Sequence, residues 1–340
     1  MRRLAVILAG AVVITSSCST DTSTSSGTLT PTTTILPTTT TFAPDSLPTV
    51  PAEATAVVPE GTTAAPTTEV APGTTTPPAP STELAAAFIG GPGGDHWLPL
   101  GYWDGSGWVQ TGVATESAPL EFPAAPGDPL RVTGLDLAPA ATALGDSGEA
   151  CFDGRIGFAV GVAPPEAEPP GFGYSAIAVA AAWEIQPRPA NQVGLEVDEY
   201  RQIGASFADD LGADGTLGEV EQVVRTDLDG DGMEEVLVAF EHYESPFGAP
   251  GNFSLVYLRA PQISGTVVDT VIFSSFVEPD LPAEQIPFMH LARVLGVADL
   301  NGDGRMEIAL RNWYYEGAGV TVFEFGGDGA TAVMDNGCGA

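Results

Sequence analysis

Asp227-Leu-Asp-Gly-Asp-Gly-Met-Glu-Glu235 and, 72 residues later, Asp299-Leu-Asn-Gly-Asp-Gly-Arg-Met-Glu307 are two copies of one pattern, identical at six of nine positions. Oxygen-bearing side chains recur at positions 1, 3, 5 and 9: Asp227, Asp229, Asp231 and Glu235 in the first copy, Asp299, Asn301, Asp303 and Glu307 in the second. Such a set suits a hard cation, with Met233 and Arg305 at position 7 offering a main-chain carbonyl. Glycines at positions 4 and 6 let the chain wrap tightly enough to bring these groups together. Calcium is the expected ion, one per loop, because magnesium prefers to keep several of its waters. The alternative is an Asp-Gly turn without metal, in which the clustered carboxylates would repel one another unneutralised.

The flanks decide what kind of loop this is. An EF-hand requires a bidentate glutamate at position 12, where Val238 and Leu310 stand instead. Val220 to Val224 and Val294 to Val297 precede the loops, and Glu235 to Phe240 and Glu307 to Leu310 follow them; all four segments read as strands rather than helices. An acidic loop of this spacing between two strands resembles the FG-GAP and VCBS repeats, the calcium-loop blades of integrin-type β-propellers. The resemblance implies a β-propeller-like domain, with Val320 to Phe325 and Thr331 to Met334 completing a four-stranded blade after the second loop. The first loop has four carboxylates at ligand positions and the second has three, with Arg305 nearby, so the first is expected to bind more tightly. Affinities of about 10⁻⁴ to 10⁻³ M suffice outside a cell, which makes the ions structural rather than a switch.

Working outward, short β-branched or aromatic runs recur between Gly, Pro and Asp clusters: Trp108 to Val113, Ile156 to Val162, Ile177 to Trp183, Ser254 to Leu258 and Val267 to Phe273. Helical periodicity is scarce, with Pro139 to Leu144 and Pro282 to Leu291 each reading as at most a short helical turn. The expected class is all-β over residues 83–340, and 41 glycines and 30 prolines fit many turns. Residues 84–217 contain no further acidic loop of this kind. The chain carries 11 basic residues, all arginine, against 44 acids, a formal net charge of -33. A polyanion would be repelled, so nucleic acid is excluded as a partner, and no polybasic segment serves an anionic membrane surface. Surface acids also suit a salty habitat.

Residues 1–18, MRRLAVILAGAVVITSSC, join two arginines to an apolar run and a small-residue stretch, the pattern of an export signal. The segment resembles the lipobox of bacterial lipoproteins, with Cys18 as the residue to be lipidated and Thr15 where leucine is usual; cleavage and secretion without a lipid is the alternative. Residues 19–82 are Thr, Ser or Pro at 39 of 64 positions, a composition that cannot bury a core and reads as a disordered stalk, glycosylated or bare.

With Cys18 assigned to the anchor, Cys151 and Cys338 remain, and an exported chain favours a disulfide between them over two unpaired thiols. Trp97, Trp103 and Trp108 fall in one expected hairpin with Asp104-Gly-Ser-Gly107 as its turn, suited to core packing more than to stacking on a sugar. His96, His242 and His290 have no metal-ligand spacing. The sequence has no nucleophile elbow or P-loop and no strand-linked dinucleotide fingerprint, and it names no catalytic residue.

These readings give an exported protein on the outer face of a bacterial cell membrane. A lipid is its only membrane contact, and its calcium-stabilised domain binds an envelope protein or a glycan. An extracellular hydrolase of polysaccharide or ester on the same scaffold, and a passive envelope component, are the competing readings.

Overall fold

The computed structural model describes residues 83–90, 96–111, 122–151, 154–163, 173–245, 247–282, 284–327 and 329–339. The expected signal segment, Cys18 and the Thr/Pro stalk lie outside the described residues. Those residues are all-β apart from one α-helix and a short 3-10 turn at Gly215–Leu217, and every strand pairing among them is antiparallel. No helix among them is long and apolar enough to cross a membrane.

Six strands between Ala85 and Ala180 form a closed barrel. Strands β1 (Ala85–Gly90), β2 (His96–Trp103), β4 (Pro129–Gly134), β5 (Leu137–Glu149), β6 (Ile156–Val160) and β7 (Ala176–Ala180) run in the order β1-β7-β4-β5-β6-β2, and β2 pairs again with β1 to close the ring. The short β3 (Trp108–Gln110) folds back on β2 through the expected turn, in which the Asp104 carboxylate accepts hydrogen bonds from the Ser106 and Gly107 amides at 2.8 and 2.9 Å. Alternation along β1 sends Ala86 and Phe88 to one face, with Trp97, Leu130, Val132 and Leu144. Ala87 and Ile89 go to the other face, with Leu98, Leu100, Ile177 and Val179. Both faces are covered, which is why the whole of β1 is buried.

Two antiparallel meanders follow. The first comprises β9 (Glu219–Thr226), β10 (Glu235–His242), β11 (Phe253–Pro261) and β12 (Val267–Phe276), with the two-residue β8 (Asn191–Gln192) against β9. The second comprises β13 (Leu291–Ala298), β14 (Glu307–Tyr314), β15 (Gly317–Phe325) and β16 (Ala330–Gly339). Helix α1 (Asp198–Asp210) lays Phe207 and Ala208 on Val236, Val238 and Phe240 of the first meander. From the opposite face, Leu237 and Ala239 meet Val294, Ile308 and Leu310 of the second meander. The other side of that sheet, through Ala309, Trp313 and Val320, packs on the barrel. The layers therefore run helix, first meander, second meander, barrel. A sheet covered on both faces needs continuous apolar strands, and Val236 to Phe240 supplies one.

Polar groups also cross between layers. The Gln222 side chain donates to the Val294 carbonyl at 3.0 Å and accepts from the Val294 amide at 2.7 Å, and the Arg293 guanidinium grips Glu241 with two hydrogen bonds of 2.7 and 2.8 Å. Cys151, just after β5, forms a disulfide with Cys338 on β16, with Cα atoms 5.6 Å apart across 187 residues of sequence. It links barrel to second meander, and closing so long a loop contributes up to about 5 kcal/mol by restricting the unfolded chain.

Two local expectations are corrected and one element is added. Pro139 to Leu144 is no helical turn but the middle of β5, held by pairing to β4. Pro282 to Leu291 is irregular where described, until β13 begins at Leu291. Helix α1 was not anticipated because Gly204 interrupts its periodicity; that glycine is required, since a Cβ there would lie 2.5 Å from the Phe240 ring.

Candidate metal centre

Each acidic loop is the first hairpin connection of its meander, loop one joining β9 to β10 and loop two joining β13 to β14. The two loops fold by the same internal hydrogen bonds. In loop one, Asp227 accepts from the Gly230 and Gly232 amides at 2.6 and 3.1 Å, Asp229 from Asp231 at 3.2 Å, Asp231 from Met233 at 2.7 Å, and Glu235 from Leu228 at 2.7 Å. In loop two, Asp299 accepts from Gly302 and Gly304 at 2.6 and 3.0 Å, Asn301 from Asp303 at 3.0 Å, Asp303 from Arg305 at 2.8 Å, and Glu307 from Leu300 at 2.6 Å. The wrap depends on left-handed backbone at positions 4 and 6, with φ of 79° and 89° at Gly230 and Gly232 and 73° and 76° at Gly302 and Gly304. A side chain at those positions would be strained.

These bonds use part of each carboxylate's acceptor capacity and leave the rest for a further partner. In loop one, Asp227, Asp229 and Glu235 converge with ligand oxygens within 4.8 Å of one another. No other group of three or more Asp, Glu, His or Cys side chains among the described residues gathers this closely. An all-oxygen donor set of that size fits a hard divalent cation. Loop two offers Asp299, the neutral amide oxygen of Asn301, Asp303 and Glu307 on the same frame.

Burial separates the loops. Asp231, Gly230 and Gly232 are exposed, whereas Asn301, Asp303 and Glu307 are 0%, 9% and 1% exposed. Burial raises the carboxyl pKa of Glu235 to about 7 and of Asp299 to about 6, and holds Glu307 well above its ordinary value. Asp229 is also raised, by burial first and by the neighbouring Asp231 charge second. Without a cation, such groups hold protons or repel one another. A divalent ion would remove both costs.

Three residues at these loops were not singled out from sequence. Trp183 donates its indole N–H to the Asp299 carbonyl at 2.8 Å, while the Asp299 amide donates to the Ile185 carbonyl at 2.7 Å. Arg188 reaches carbonyls of both loops. Glu324, on β15, lies beside loop two, where it adds to the upward shift of Glu307 and stands 3.5 Å from the Asn301 amide nitrogen. Only the backbone path from barrel to meander brings the first two here, and no local pattern marks them.

The three histidines stay apart from the loops: His96 lies on β2, His242 ends β10, and His290 precedes β13. Trp97 and Trp103 are buried, and Trp103 meets Trp108 edge-on at 5.1 Å, in keeping with a packing role.

The ends of the meanders opposite the acidic loops hold a different feature. Phe247 from the β10–β11 connection, Phe288 from the β12–β13 connection and Tyr314–Tyr315 at the β14–β15 turn form one aromatic ridge, with ring centroids 4.9 to 6.4 Å apart. Phe247 and Phe288 are about half exposed. Exposed carboxylates at Glu244, Glu278, Asp280, Glu284 and Glu316 lie on the same three connections, which carry no arginine or lysine.

Compared with family models, curated proteins and solved structures, the chain shows no match.

Proposed function

We propose that this is an exported, lipid-anchored surface binding protein in which two calcium ions fix one end of paired blade-like meanders and the opposite end grips a ligand. The observation that carries this reading is the two-ended arrangement: acidic loops at one end of the two meanders, and an exposed aromatic ridge at the other. Eight strand residues separate the ends, or about 27 Å at 3.4 Å per residue. Ions that fix the hairpins at one end also fix the register of the strands that present the ridge.

Loop one would hold its ion through Asp227, Asp229, Asp231 and Glu235 with the Met233 carbonyl, and loop two through Asp299, Asn301, Asp303 and Glu307 with the Arg305 carbonyl. Calcium is the ion of choice because its coordination is large and flexible and accepts many protein oxygens. The repeated meander with its loop in the first hairpin supports the likeness to FG-GAP and VCBS blades, here two of them beside a barrel.

The ridge suits a glycan. Aromatic faces take the apolar C–H face of a sugar ring, and the bordering carboxylates accept hydrogen bonds from its hydroxyls. An envelope protein is the other outcome. The test is retention of purified cell-envelope polysaccharide and of envelope proteins by the wild type and by Phe288→Ala and Tyr315→Ala. Loss of retention in the variants, with unchanged thermal stability, supports the reading; equal retention by all three proteins removes the ridge from it.

A further inference from the structure

We propose that Arg188 couples the two acidic loops into one two-ion unit, so that filling either loop strengthens ion binding at the other. The inference rests on the calcium reading above. Arg188 lies between β7 and β8, with its side chain one fifth exposed. Its Nε donates to the Asp227 carbonyl, and its Nη2 donates to the Leu228 carbonyl at 2.8 Å and to the Gly304 carbonyl at 2.7 Å. One planar guanidinium thus holds positions 1 and 2 of loop one and position 6 of loop two.

Two of the peptide units it holds orient ligands. The Asp227 carbonyl shares its unit with the Leu228 amide, which donates to Glu235 at 2.7 Å, and the Gly304 carbonyl shares its unit with the Arg305 amide, which donates to Asp303 at 2.8 Å. An unbroken path therefore runs from Glu235 through the Asp227–Leu228 peptide, the Arg188 guanidinium and the Gly304–Arg305 peptide to Asp303. The loops also touch directly, the Met306 amide donating to the Leu228 carbonyl at 2.8 Å. Closing loop one around an ion fixes the Leu228 peptide, which fixes the guanidinium, which fixes the Gly304 carbonyl. Part of the ordering cost of loop two is then already met, and linkage makes the effect reciprocal.

The charge of Arg188 argues for positioning over attraction. Its Nε lies 3.9 Å from a carboxylate oxygen of Asp227, where a positive charge opposes the approach of a cation. Removing that charge should by itself tighten ion binding at loop one, so a loss of mutual strengthening on its removal cannot be an electrostatic effect. Lysine would not substitute, because a single point donor cannot hold three carbonyls in one plane.

The experiment is a coupling cycle on the purified full chain. Calcium binding is measured by calorimetry, and loop two is followed by terbium emission sensitised through Trp183, in the wild type and in Arg188→Met, each with and without Glu235→Gln. In the wild-type background, Glu235→Gln should weaken loop two by about tenfold; in the Arg188→Met background the same change should alter it by less than about twofold. Equal weakening in both backgrounds, or none in the wild type, overturns the coupling while leaving the ion sites standing. A wild type that takes up no ion overturns the calcium reading and the coupling together. Should Arg188→Met not fold, Arg188→Lys decides: the proposal expects the coupling to drop at least about threefold, and unchanged coupling overturns it.

Discussion

The two acidic loops share a backbone and differ in surroundings. The same five kinds of hydrogen bond and the same pair of left-handed glycines build both, yet Asp231 is exposed where its counterpart Asp303 is buried, and Asp229 is ionisable where Asn301 is neutral. Loop one has the charge; loop two has the burial. Affinity for a divalent ion follows the number of charged ligands. The contribution to folding follows how much unpaired polar group is left inside when a ligand is lost. The more charged loop need not be the one the fold leans on more.

The largest expected contrast lies at position 5. Asp303→Ala strands a buried loop around the Arg305 amide and should cost about 3 kcal/mol in calcium, whereas Asp231→Ala opens to solvent and should cost about 1 kcal/mol or less, both read by chemical denaturation. Equal costs would mean that burial does not separate the loops.

Next in size is a pH effect in chelator. The Glu235 carboxyl titrates near 7 in the folded ion-free chain, against about 4.3 when unfolded. The folded state therefore binds the extra proton between those values, and the stability this proton confers is full below about pH 4 and lost as pH rises through about 7. Glu235→Gln, which keeps an acceptor for the Leu228 amide without the charge, should stabilise the ion-free protein by about 2 kcal/mol at pH 8 and hardly at all at pH 4. A stabilisation that does not change with pH would contradict the assignment.

Exchanging the donor sets sharpens the comparison directly. Asn301→Asp should raise calcium affinity at loop two by about tenfold and lower ion-free stability, because it buries a further carboxylate; Asp229→Asn should weaken loop one by a similar factor. Calorimetry of both variants reads these changes, and an Asn301→Asp that binds no tighter breaks the charge-count argument. The smallest effect is at Trp183. Its replacement by Phe removes one hydrogen bond to Asp299 and should cost about 1 kcal/mol, while leaving loop one unchanged.

Legibility from sequence followed the same division. The meanders could be read because Val236 to Phe240 and Ile308 to Leu310 are strongly β-forming and the glycines mark where the chain must turn. The tight wrap of the two loops could be read because the spacing of their glycines alone sets it. The barrel could be read only in part: Ile156 to Val162, Ile177 to Trp183 and the Trp hairpin mark β6, β7 and β2–β3, but β1 is Ala-Ala-Ala-Phe-Ile-Gly and β5 mixes Ala, Gly and Pro, sequences of weak strand preference that closure of the ring holds extended. Pro139 to Leu144 reads in isolation as at most a short helical turn and is a strand through its pairing to β4. Arg188, Trp183 and Glu324 reach the loops only through the fold, so composition and spacing are silent about them.

The most direct test of the central claim is thermal unfolding of the purified protein in calcium, in magnesium and in excess chelator. Calcium should raise the midpoint progressively with concentration, by an amount equivalent to about 2.7 kcal/mol per site at a hundredfold excess over Kd, while magnesium gives little. A midpoint indifferent to calcium would contradict the account and leave the loops as two well-made turns.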